Sequence, residues 1–79
     1  MYNVTVYTTP GCAGCRLTKN YLSNNGIEYE EINIRDSEEA RNLLIEKNLL
    51  SAPVVIFGEE AWSGHDPNKL LGLVESLSS

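Results

Sequence analysis

Two cysteines with two residues between them, Cys12-Ala13-Gly14-Cys15, sit directly behind a strand-like run and open a helix-like one. This constrains the chain more than any other feature, because both the position and the spacing of the pair carry physical meaning. Residues Tyr2 to Thr8 are rich in β-branched and aromatic types and alternate in polarity, which predicts a first strand. Pro10 and Gly11 break it. A helix is then expected from about Cys12 to Asn24, with Leu17, Tyr21 and Leu22 sharing one face and Asn24-Asn25-Gly26 as its stop.

The rest of the chain supplies the remaining elements. Glu28 to Ile34 reads as a second strand, with Tyr29, Ile32 and Ile34 set among acidic and polar residues. Asp36 and Glu39 form a capping-box pattern for a second helix that buries Ala40, Leu43 and Leu44 and ends near Asn48. Pro53 to Phe57 is a continuous apolar run of the kind buried on both faces of a sheet. Gly58-Glu59-Glu60 is expected to turn it into a partner strand at Ala61-Trp62. Asp66 is the candidate N-cap of a last helix with Pro67 in its first turn, burying Leu70, Leu71, Val74 and Leu77, and Ser78 and Ser79 are expected to fray. The predicted fold class is α/β, in the order β-α-β-α-β-β-α: one four-stranded mixed sheet flanked by three helices.

A chain of 79 residues has room for one domain, here 1–79. Hydrophobic residues at 42% and charged residues at 22% describe a chain that buries a core rather than a disordered one. No apolar run approaches the roughly 20 residues of a membrane helix, and no signal pattern opens the sequence, so a cytoplasmic protein is expected. Six Lys and Arg against eleven Asp and Glu leave a formal charge of −5, which speaks against nucleic-acid binding and makes any charged partner more plausibly basic.

The cysteine pair admits three chemistries. Three residues apart in an opening helical turn, the sulfurs lie side by side and can close and open a disulfide without moving the rest of the domain. Cys12 faces the unpaired N–H groups and positive end of the helix, which favour a thiolate, so it is the candidate nucleophile. Cys15, one turn further in, is the candidate resolving thiol. Half a zinc site is the second reading, with only His65 and carboxylates to complete it, and a structural disulfide closing a very short loop is the third.

With the pair placed, the chain resembles the glutaredoxin-like NrdH-redoxin family nearly end to end. The resemblance is carried by Val6-Tyr7-Thr8 leading to Pro10, by Cys12 and Cys15, by Ser51-Ala52-Pro53-Val54-Val55, and by Trp62-Ser63-Gly64 followed by Pro67. It implies a thioredoxin-like fold and a cis Ala52-Pro53 bond facing the cysteines, and a trans proline that only starts a strand is the alternative. It also implies that backbone groups near Ala52 pair with an extended substrate segment. The substrate-facing set it suggests is Pro10, Gly11, Ala13, Gly14, Ala52, Pro53, Trp62, Ser63 and Gly64, with no metal ligand. Trp62 has a second reading, packing against the sheet, and His65 reads as a solvated turn residue without a catalytic part.

The resemblance further implies an electron carrier, acting as a monomer, with no bound cofactor beyond the Cys12-Cys15 disulfide. Thioredoxin reductase would be its donor, drawing on NADPH, and ribonucleotide reductase its acceptor. The family's Trp-Ser-Gly-Phe-Arg-Pro element is written here with His65-Asp66 in place of Phe-Arg. Thr9 stands where glutathione-using relatives carry a basic residue, which disfavours glutathione as donor, although Asp66 could meet its amino group. A glutathione-dependent glutaredoxin and a zinc-binding or interaction module without redox turnover are the alternatives.

Overall fold

The computed structural model describes residues 3–78, so the expected start of the first strand at Tyr2 and the fraying of Ser79 lie outside the described residues, while Ser78, also expected to fray, is the last residue of the closing helix. The elements are β1 (Val4–Thr8), α1 (Ala13–Asn24), β2 (Glu30–Asn33), a short 3-10 turn (Ile34–Asp36), α2 (Glu38–Glu46), β3 (Val54–Phe57), β4 (Glu60–Ser63) and α3 (Pro67–Ser78). The sheet order is β2-β1-β3-β4. β1 runs parallel to β2, with Thr5 opposite Glu30 and Thr8 opposite Asn33. It runs antiparallel to β3, with Val4 opposite Phe57 and Tyr7 opposite Val54, and β3 pairs antiparallel with β4. This is the four-stranded mixed sheet anticipated from the order of the elements, in the thioredoxin-like arrangement that the resemblance implied.

Period-two alternation divides the core between the two faces of the sheet. Val4, Val6 and Val55 point to one side, where they meet Leu22 of α1, Trp62 of β4, and Leu70 and Leu73 of α3. Tyr7 and Val54 point to the other, against Ala40 and Leu44 of α2. Adjacent residues Val54 and Val55 are therefore both buried, which is why β3 reads as an unbroken apolar run.

Four local expectations are corrected. The stripe that α1 buries is Cys15, Thr18 and Leu22, while Leu17 is 54% exposed; the turn-by-turn spacing from Leu22 passes through Thr18 and Cys15 and leaves Leu17 to one side. In α3 the buried pair is Leu70 and Leu73, and Leu71 faces outward. The β-turn is two residues long, so Phe57 pairs with Glu60 and β4 starts one residue earlier than expected. The cap of α2 is Ser37, whose Oγ accepts from the Ala40 N–H at 3.1 Å, because Asp36 is taken up in the preceding 3-10 turn. Ser37→Ala is accordingly expected to cost about 1 kcal/mol, and Asp36→Ala a few tenths, in urea unfolding.

Candidate active site

The strand β1 and the helix α1 deliver the cysteines to one end of the sheet. Cys12 is the N-cap of α1 rather than its first turn: its backbone is extended (φ −96°, ψ 108°), and its Sγ accepts from the Cys15 N–H at 3.0 Å. The sulfur thus takes the place that a serine or aspartate oxygen holds in ordinary caps, at the positive end of the helix. Cys12 and Cys15 form a disulfide, with Cα atoms 5.2 Å apart. Cys15 is only 2% exposed, on the buried stripe of α1, whereas Cys12 is half-buried.

The loop before β3 closes over this turn. The Ala52-Pro53 bond is cis, as the resemblance implied, and the Pro53 side chain is buried. A Cβ placed on Gly14 would lie 3.2 Å from Pro53 Cδ and 3.5 Å from His65 Cβ, so glycine between the cysteines lets two segments approach the helix. Gly64 ties those segments together, its N–H donating to Pro53 O at 2.7 Å and Ser51 O at 3.2 Å. It does so at φ +83°, where a side chain would be strained.

The sequence-derived residues do not all land alike. Pro10 and Gly11 are exposed and line one groove with Cys12 and Cys15, Ala13 and Ser63 are exposed, and Gly14, Ala52 and Gly64 are half-buried. Trp62 is 8% exposed and belongs to the core, so of its two readings the structure displays the packing one. Its indole N–H is buried without a partner among the described residues, and nothing in the structure accounts for that.

His65, read as a solvated turn residue, is instead half-buried, with Nδ1 2.9 Å from Thr18 Oγ1. This contact joins the Gly64–Asp66 loop to α1 one turn beyond Cys15. A signal for it was present: Thr18 is a polar residue on the stripe shared by Cys15 and Leu22, and a buried hydroxyl needs a partner. Asp66 caps α3 as expected, its Oδ1 accepting from the Lys69 N–H at 3.2 Å. Among the described residues no group of three or more His, Cys, Asp or Glu side chains gathers to hold a metal ion.

A polar groove runs along the other flank of the pair, lined by Thr8, Cys12, Cys15, Arg16, Lys19 and Glu31 among others. Within it Glu31 Oε2 accepts from both Lys19 Nζ and Thr8 Oγ1, each at 3.0 Å. The Lys19 hydrogen bond, helped by Thr8 and opposed by partial desolvation, holds the Glu31 carboxyl below the ordinary carboxylate range. A lowered folded-state pKa contributes stability above the unfolded value of about 4.3 and loses it as pH falls through the folded value. Glu31→Gln is therefore expected to lower the urea midpoint slightly at pH 7 and to converge with the parent protein in acid. Glu31 is exposed and Lys19 partly so, and solvent screening keeps the effect small.

The glutaredoxin family model matches residues 4–62, three quarters of the chain. The glutaredoxin-like protein NrdH of Escherichia coli K12 is 36% identical over 67 residues, which cover 85% of this chain and 83% of that protein. The NrdH protein of Lactococcus lactis subsp. lactis is 37% identical over 70 residues, covering 89% and 97%. This chain belongs to the glutaredoxin-like NrdH-redoxin family. The solved NrdH-redoxin of Escherichia coli superposes with a TM-score of 0.86 at 36% identity, over 89% of this chain and 92% of that one. As an NrdH-like redoxin the protein is a thiol-disulfide oxidoreductase, and the half-buried Cys12 with the buried Cys15 is the pair at its redox end.

Proposed function

We propose that this redoxin is an electron carrier that takes electrons from NADPH through thioredoxin reductase and delivers them to a protein disulfide, that of ribonucleotide reductase. The observation that carries the assignment of roles is the unequal placement of the two sulfurs. Cys12 caps the helix and is the more accessible, so its thiolate attacks one sulfur of the target disulfide and releases the other as a thiolate. Cys15, 2% exposed and one turn inward, then loses its proton and attacks Cys12 Sγ, freeing the second target sulfur. Two electrons pass to the target and the Cys12-Cys15 disulfide remains. The reductase restores the dithiol.

The exposed residues around the pair, with the half-buried Ala52 backbone, would receive the extended target segment. A reductase protein rather than glutathione as donor is supported by Thr9, which removes a cation that glutathione-using relatives carry. It also agrees with the thioredoxin-like activity profile named for the Escherichia coli NrdH-redoxin. We read residues 1–79 as one domain working as a monomer in the cytoplasm; no helix among the described residues is long and apolar enough to cross a membrane.

The test supplies the oxidised protein with NADPH and thioredoxin reductase, and separately with NADPH, glutathione reductase and glutathione, while following NADPH consumption. Turnover with the first system alone is expected. Turnover with the glutathione system alone would transfer the assignment to a glutathione-dependent glutaredoxin.

A further inference from the structure

The net charge of −5 points to a basic partner, but the distribution of charge around the redox end says the opposite. Three depressions adjoin there. The polar groove beside the cysteines shares Thr9 and Pro10 with a second hollow, and that hollow shares Ile34 and Arg41 with an apolar one. Each adjoins the next through these shared residues, so the three lie in a row, as a stepped trough, from Cys12 past the start of α2 to Ala52.

Four of the six cations of the chain, Arg16, Lys19, Arg35 and Arg41, line this trough, against one of its eleven acids, Glu31. Glu31 is already paired with Lys19. Arg41 donates to the backbone carbonyls of Ile34 and Arg35, which fixes its guanidinium in place without neutralising it. The side chains of Arg16 and Arg35 make no hydrogen bond or ion pair among the described residues. The far end is apolar, with Leu49 beside Ile45 and Leu50, which are 63% and 69% exposed. Large apolar side chains this exposed, next to a site that must receive another protein, are unusual for a surface with no partner.

We infer that the trough receives an extended, acidic, cysteine-bearing segment of a protein substrate, whose carboxylates meet Arg16, Arg35 and Arg41 and whose apolar side chain further along seats against Ile45, Leu49 and Leu50. This rests on the reading of the chain as a reductant of protein disulfides and adds to it the chemistry of the segment recognised. Cations at the rim steer an anionic segment toward Cys12 and lose that influence in salt. The apolar end supplies affinity that salt does not remove.

The experiment is a single-turnover reduction by the pre-reduced protein of four synthetic peptides, each closed by an internal disulfide. Beside the disulfide they carry either three aspartates or three lysines, and beyond these either two leucines or two serines. Rates are expressed relative to that of hydroxyethyl disulfide, which is neutral and too small to reach either feature. The aspartate peptides are expected to react roughly tenfold faster than the lysine peptides at low ionic strength and to approach them in high salt. Arg35→Glu should shrink that ratio severalfold, and Leu50→Ser, at an exposed position, should remove the advantage of leucine over serine. If either preference is absent while hydroxyethyl disulfide is reduced, the docking inference is overturned and the dithiol chemistry stands. If hydroxyethyl disulfide itself is not reduced, both fall.

Discussion

Replacing Cys12 by serine is expected to depress protein-disulfide reduction by on the order of a thousandfold or more, because a serine hydroxyl stays protonated where a helix-capping thiol ionises. Cys15→Ser should fail differently. The first attack still proceeds from Cys12, but no resolving sulfur follows, so a covalent adduct with the substrate accumulates. Mass spectrometry of the quenched reaction reads this directly as the combined mass of protein and substrate, and a thiol reductant should dissolve it. The structural ground for the difference is that Cys12 is half-buried at the helix entrance while Cys15 is 2% exposed behind it. Equal losses from both variants with no adduct would contradict the assignment of roles. No turnover in the parent protein, with zinc bound through the cysteines, would point to a metal-binding module instead.

Leu70→Ala is expected to be the most damaging of the simple core truncations on α3. Leu70 is fully buried among Val4, Val6, Leu22 and Trp62, where removing a leucine side chain leaves a cavity and costs about 2–5 kcal/mol. A domain this small holds only about 4–12 kcal/mol in total, so the loss approaches the whole of its stability. With a urea dependence of about 1 kcal/mol per molar, the midpoint should fall by roughly 2–5 M. Leu71→Ala, one residue on and 50% exposed, should shift it by less than a quarter of that. Both proteins are compared in the disulfide form, so that the cross-link is common to each. Comparable shifts would mean that α3 packs through another face.

These two residues show where sequence patterning is reliable and where it is not. Leu70, Leu71, Val74 and Leu77 all fit a broad apolar stripe, and a stripe read from spacing alone is uncertain by one residue's rotation, about 100° on a helix. Packing against the valines of β1 and β3 selects Leu70 and Leu73 and turns Leu71 outward. The same ambiguity placed Leu17 on the buried face of α1, where Thr18 lies instead. A polar residue is not counted in an apolar stripe, although here it is buried through its contact with His65. Capping also depends on what precedes the helix: Asp36 has suitable chemistry for α2 but is held in a 3-10 turn, leaving the role to Ser37.

The cysteine pair was legible from its spacing and its place between a strand and a helix, since both are properties of the chain's local order. So was the sequence of elements, because Pro10-Gly11, the double-sided β3 run and the Asp66-Pro67 start of α3 are local signals. The tertiary structure alone brought Pro53 and His65 to within contact of Gly14, buried Trp62, and set Lys19 against Glu31. It also gathered four cations of an acidic chain around the redox end. Those relations join residues as far apart in the chain as Gly14 and His65, and only the pairing of strands and packing of helices across the sheet decides which of them meet.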